Sequence, residues 1–332
     1  MSPERAWLNR TGSLQFIEKQ QFFDLLLREP GKRRIAAPRS PQKNASFRQR
    51  GLELRAGNMR NPELNTGTGT ELGGRVPFAD WCEEQEEAVG DHNLTVLTSI
   101  TASREVGRDA TALFVPTHYA SEERIADLLQ RLGKSASAAF IRQKLPEGSR
   151  IRSGDLGEIF ATEYVAEKMT FTVPIKRLRW KDHREMAMRG DDVLAVRIPG
   201  DGNPLDFLKA ESKSRAQLQA DVVASARTSL NADGGLPSPH ALAFVADRLR
   251  ELGQVELSDK IDDAQLANGI LPDQVCHLLF VFTGNDPTNF LRTDLQQYAG
   301  TMEQYSVGLR ITDHAQFIED VYEKVIADGN NG

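Results

Sequence analysis

Glu211 and Lys213 stand in the segment Lys209-Ala-Glu-Ser-Lys-Ser-Arg215 at a spacing suited to chemistry. In an extended strand residues i and i+2 share a face, so this carboxylate and this ammonium point the same way. Nowhere else in the 332 residues does an acid precede a lysine by two positions. Upstream, Asp192 opens the apolar run Val193–Ile198. Asp192 and Glu211 on adjacent strands, with the Ser212 backbone carbonyl, make a hard-oxygen set for Mg2+ (or Mn2+), an ion that keeps several waters and needs few protein ligands. Such an ion neutralises charge at phosphorus and lowers the pKa of an attacking water. Lys213 beside it would orient the hydroxide or stabilise developing charge. The chemistry expected is metal-dependent phosphodiester cleavage. The plain alternative is structural: Asp192 caps a turn, and Glu211 pairs with Lys213 or Lys209.

The elements needed to position these groups are legible. Asp192–Ile198 and Leu205–Lys213 read as strands joined by Pro-Gly-Asp-Gly-Asn-Pro, a turn composition, and so as a hairpin. Thr170–Leu178 reads as a further strand, and a helix is expected from about Ser214 to Leu230. Pro239–Leu252 and Ser258–Asn268 read as helical. Val275–Thr283 is a nearly continuous apolar run, expected to be a central strand buried on both faces. Ser306–Ile311 and Asp313–Ala327 suit a last strand and a closing helix. Ahead of the hairpin, Ser153 is placed as N-cap of a helix whose apolar face is Leu156, Ile159, Phe160, Tyr164 and Val165. Glu158 sits on the border of that face, from where it can reach a neighbouring sheet, or it simply favours the positive end of its own helix.

The stretch 76–150 reads as mostly helical: Phe78–Glu87, a helix capped by Ser121 and running to Leu132, and Ser137–Lys144, with a strand at Asn93–Thr101. Residues 151–330 form the expected core. Residues 1–75 lack hydrophobic periodicity after about residue 30 and carry a basic run from Arg28 to Arg60. They are expected to be a flexible basic arm, since such a composition buries too little surface to offset ordering entropy.

Composition narrows the functional classes. A net charge of −6 does not suggest a nucleic-acid binder, but the basic run 28–60 and the run Lys176-Arg-Leu-Arg-Trp-Lys181 could each hold phosphates or be solvated surface. No apolar run approaches the roughly 20 residues of a membrane span, and the amino terminus lacks a signal-peptide pattern. Only Cys82 and Cys276 are present, too few for a disulfide framework, which points to the cytoplasm. The histidines show no zinc-ligand spacing, Ser212 has no His-Asp setting, and no Walker-type phosphate loop occurs.

Taken in order, Gly154-Asp-Leu-Gly-Glu158, Arg189-Gly-Asp-Asp-Val-Leu-Ala-Val196 and Lys209–Arg215 resemble the PD-(D/E)xK nuclease superfamily. More narrowly they resemble HamA, the nuclease subunit of the Hachiman anti-phage defence system, over about residues 120–320. The resemblance implies an α/β fold, a mixed central β-sheet flanked by helices with a restriction-endonuclease-like core. It assigns Asp192, Glu211 and Lys213 to the D, E and K places and Glu158 to the helix place. Asp191 departs from the pattern, so the choice between the two aspartates stays open. The resemblance further implies DNA as substrate, a separately encoded helicase that restrains the nuclease, and release on invasion. A non-catalytic DNA-binding or adaptor subunit on a nuclease-like fold, and a restriction or repair nuclease, are the alternatives.

Overall fold

The structure, a computed structural model, describes residues 76–200 and 203–330. The expected basic arm, residues 1–75, and part of the hairpin turn lie outside the described residues. Arg75–Gly332 forms one compact unit. Its centre is a six-stranded mixed sheet in the order β1-β2-β6-β5-β4-β3. The strands are β1 (Cys82–Val89), β2 (His92–Ser99), β3 (Val193–Arg197), β4 (Asp206–Arg215), β5 (Val275–Thr283) and β6 (Glu303–Arg310). The outer pairs β1–β2 and β3–β4 are antiparallel, and β2–β6, β6–β5 and β5–β4 are parallel.

β5 carries the core. All its residues are buried, as a near-continuous apolar run in the middle of a parallel sheet requires. Period-2 alternation divides its side chains between two layers. Leu279 and Val281 pack with Val223, Ala226 and Leu230 of one helix, α5 (Ala220–Asn231), and with Leu291 and Leu295 of α8 (Thr288–Gln297). Phe280 and Phe282 face the other layer, where Tyr164 and Phe160 of α4 (Ser149–Lys168) and His314 of α9 (His314–Asn330) meet them at centroid distances of 6.0, 5.1 and 4.2 Å. The layer with α5 also holds α6 (Pro239–Glu251) and α7 (Val255–Asp262), packed on Leu194, Val196 and Phe207. The remaining helices are α1 (Arg104–Tyr119), α2 (Glu122–Leu132) and α3 (Lys134–Lys144). Among the described residues no helix is long and apolar enough to cross a membrane.

Several expectations are corrected. Phe78–Glu87 is not a helix: after a short 3-10 turn it is β1, paired residue for residue with β2. The link is the two-residue turn Gly90–Asp91, with Gly90 at φ 62°, the backbone a tight hairpin of this kind asks for. Four glutamates on this outermost strand keep it from pairing further. β1 and β2 therefore belong to the same sheet as the strands beyond residue 151. Thr170–Leu178 is not a strand: only Thr172 bridges to Val196, and the chain then turns into a 3-10 segment, Arg177–Trp180. Pro174 has no N–H to give a ladder. Ser153 is not an N-cap; α4 begins at Ser149, where the Glu185 carboxylate accepts the Glu147 and Gly148 N–H groups at 2.6 and 3.1 Å. β4 also runs on to Arg215, so the helix expected from Ser214 begins at Ala220.

Candidate active site

α4 is buried from Asp155 to Val165, acids included. Charges survive such burial only when paired, and the partners come from one short strap, Lys176–Lys181. Lys176 Nζ reaches Glu163 Oε1 at 3.1 Å, Arg177 holds Glu158 through Nε and Nη2 at 2.8 Å each, and Lys181 Nζ reaches Asp155 at 2.8 and 2.9 Å. His118 completes the Glu163 site at 2.6 Å. The basic run that could have held phosphates thus spends these three charges inside the protein. Burial pushes the Glu158 carboxyl up to about 7 against the pull of Arg177. Arg177 shifts upward too: burial works against its charge, but Glu158, Asp192 and Glu211 outweigh it.

The two aspartates diverge. Asp192 Oδ1 accepts from Arg177 Nη2 at 2.7 Å and Oδ2 from the Ser212 backbone N–H at 2.9 Å. Asp191 turns towards α6, where Oδ2 accepts the N–H of its N-cap, Ser238, at 2.8 Å. Its Oδ1 lies 3.7 Å from Lys209 Nζ, which itself donates to the Ala232 and Leu236 carbonyls at 2.9 Å each. Asp191 is bound into the packing of the α5–α6 loop, and Asp192 joins β4.

On β4, alternation sorts the side chains. Ser212 and Ser214 face α4, where a Cβ on Gly157 would come within 2.9 Å of Ser212 Oγ and 3.3 Å of Ser214 Cβ. Gly157 lets the Glu158 helix lie that close to the strand. Glu211 and Lys213 face the α5 layer and form an ion pair with each other. Burial raises the Glu211 carboxyl, the charge of Asp192 raises it further, and Lys213 pulls it back. The β3–β4 register, Val193 opposite Ala210, sets Asp192 opposite Glu211 just beyond the end of β3. The Ser212 N–H bonded to Asp192 lies on that edge of β4, and the carbonyl of the same residue lies on the same edge.

Mg2+ suits such a set. Two facing carboxylates, of which Glu211 is raised partly by the charge of Asp192, and an edge carbonyl are hard oxygen donors, and a dication relieves the repulsion between the acids. Among the described residues, however, no three acidic, histidine or cysteine side chains converge on one point. Glu158 is the member left out, because Arg177 stands between it and Asp192. A cavity of about 500 Å3 opens beside Glu158, Arg177 and Asp192, lined also by Trp180, His240 and Phe244.

Residues 77–325 match the family model described as HamA. The chain belongs to the HamA family. A curated member, the Hachiman protein HamA of Bacillus cereus, is 25% identical over 252 residues, covering 74% of this chain and 89% of that protein. The matched span contains α4, the strap, the hairpin and β5, so every expected site residue falls inside it. Sequence reasoning singled out Asp192, Glu211, Ser212, Lys213 and Glu158 as candidates and did not single out Arg177, which the structure sets between Glu158 and Asp192. The only signal was its place in a basic run between two acid-bearing elements, and such a run looks the same when it faces solvent.

Proposed function

We propose that this chain is a metal-dependent DNA endonuclease with a PD-(D/E)xK core. In this reading it is the effector of a Hachiman anti-phage defence system and is controlled by a partner helicase. The reading is carried by one observation: the Asp192 carboxylate is hydrogen-bonded to the backbone of Ser212, between Glu211 and Lys213. Residues distant in sequence thereby meet in the order of a D, E-x-K site.

A bound Mg2+ or Mn2+ would supply Lewis acidity and a water of lowered pKa. Asp192 and Glu211 would hold it, with the Ser212 carbonyl as a third oxygen. Lys213 holds its ammonium at Glu211, ready to orient a nucleophile or to meet charge developing on the phosphate. Glu158 stands at one remove from this set, with the Arg177 guanidinium between it and Asp192. DNA as substrate and the helicase as partner are supported by the family resemblance rather than by any contact in the chain.

Incubation of supercoiled plasmid with Mg2+ or Mn2+ tests the reading, with the partner helicase present in a parallel series. Nicking or degradation by the parent, abolished by Glu211→Ala and by Lys213→Ala, is the expected result. Equal cleavage by both variants would show the site to be elsewhere. One feature favours a second reading, a non-catalytic DNA-binding or adaptor subunit: the ion pairs already neutralise Glu158 and Glu211. It predicts salt-sensitive, metal-independent DNA binding without cleavage in either series.

A further inference from the structure

Arg177 has no part in the chemistry proposed above, yet it occupies the centre of the site. Its guanidinium carries five N–H donors, and the acceptors around it match that number. Glu158 takes Nε and Nη2, and Asp192 Oδ1 takes Nη2 again. The Arg189 and Gly190 carbonyls take Nη1 at 3.3 and 3.5 Å. Both Glu158 oxygens and one Asp192 oxygen therefore face one cation, whose side chain is only 10% exposed.

A guanidinium and a hard dication compete for such carboxylates. Each neutralises the same negative charge, and two cations held a few ångströms apart away from bulk water repel. Arginine cannot yield by losing its proton; it can only move. The bases at the two ends of the strap are fixed, Lys176 to Glu163 and Lys181 to Asp155, so the backbone is held on both sides of Arg177. The side chain, in contrast, borders the cavity of about 500 Å3, which is room enough for a guanidinium.

We infer that Arg177 is a built-in counter-ion that occupies Asp192 and Glu158 in the metal-free chain, and that a divalent ion loads as the guanidinium swings off Asp192 into the adjoining cavity. This inference rests on the metal site proposed above. It makes the resting chain a weak binder of divalent ions by construction.

Mn2+ titration of the full-length, metal-stripped chain, followed by the EPR signal of free Mn2+, tests it with the parent, Arg177→Met, Arg177→Lys and Glu211→Gln. Arg177→Met is expected to bind Mn2+ about tenfold more tightly than the parent or better, since the competing charge is gone. Arg177→Lys should fall between, because an ammonium is a point charge that cannot bridge both carboxylates. Mn2+ should also raise the Tm of Arg177→Met more than that of the parent, an effect that a purely structural Arg177 would not produce. If the parent binds Mn2+ through Glu211 but Arg177→Met binds equally or more weakly, the inference is overturned and the site stands. Should Arg177→Met fail to fold even with Mn2+, an Arg177→Lys affinity at or below the parent's overturns it equally. If no form binds Mn2+, or Glu211→Gln binds like the parent, the metal site falls and the inference falls with it.

Discussion

Arg177 and Asp192 meet at 2.7 Å, and the second oxygen of Asp192 is fixed by the Ser212 N–H at 2.9 Å. Through those two contacts the strap, the mouth of β3 and the E-x-K strand are fastened at one point. Glu158 on α4 backs the arrangement from the opposite layer, brought close by Gly157. The adjoining aspartates are unequal, Lys176 and Lys181 of the strap pair with buried acids of α4, and the layer behind β5 holds a buried histidine.

Asp191→Asn and Asp192→Asn should separate stability from chemistry. Asp191 caps α6 and sits by buried Lys209, so its variant is expected to lose about 1–3 kcal/mol in urea unfolding while keeping its Mn2+ affinity. Asp192→Asn should lose most of that affinity. A result in which Asp191→Asn abolishes Mn2+ binding and Asp192→Asn does not would reverse the assignment.

Asp155 and Lys181 are an almost fully buried ion pair, at 7% and 5% side-chain exposure. Removing one partner of such a pair leaves a buried charge, so Lys181→Met is expected to cost about 3 kcal/mol or more. Restoring neutrality with Asp155→Asn in the same chain should recover part of the loss, a coupling that a double-mutant cycle measures. Simple additivity of the two losses would mean that the strap is not held this way.

His314 gives a pH dependence of defined sign. Burial pushes its pKa from 6.5 down to about 4, against the opposing pull of a hydrogen bond with the Phe282 backbone. Above pH 6.5 the ring is neutral in folded and unfolded chains alike, and its contribution is fully present. Between pH 6.5 and 4 the unfolded chain takes up a proton that the folded chain refuses, so stability falls as pH falls. The loss expected between pH 7 and pH 5 is about 2 kcal/mol. Urea midpoints at the two pH values check it, and His314→Gln should flatten the difference. An unchanged slope in that variant would assign the dependence to other groups.

Close packing of α4 on β4 is tested at Gly157. A branched side chain would drive into Ser212 Oγ and Ser214 Cβ, so Gly157→Val is expected to destabilise the fold by about 1–3 kcal/mol through overpacking. Thermal unfolding that matches the parent's would mean that the helix can back away freely.

Much of this was legible in the sequence, for identifiable reasons. β5 announced itself because a strand buried on both faces must be apolar throughout, and the hairpin did so because Pro-Gly-Asp-Gly-Asn-Pro can only turn. Glu211 and Lys213 emerged as candidates from spacing, and an aspartate at the mouth of β3 from order. β1 was misread because its glutamates look helical, although Gly90–Asp91 is itself a hairpin signal. The strap was missed for a deeper reason. Arg177 and Glu158 are 19 residues apart, and nothing local distinguishes a basic run in water from one paired with the buried acids of a helix. Choosing Asp192 over Asp191 likewise needed three-dimensional partners, Ser212 for one and Ser238 for the other.

Asp192 and Glu211 are proposed to form a metal-dependent phosphodiester-cleaving site. The test is plasmid nicking by chain stripped of metal with EDTA and then resupplied with Mn2+, alone and with the proposed helicase partner. Cleavage should be absent after stripping and return with Mn2+ in the parent. It should fail to return in folded Asp192→Asn and Glu211→Gln, with a loss of about a hundredfold or more. Cleavage that persists in EDTA, or variants that cut as fast as the parent, would contradict it.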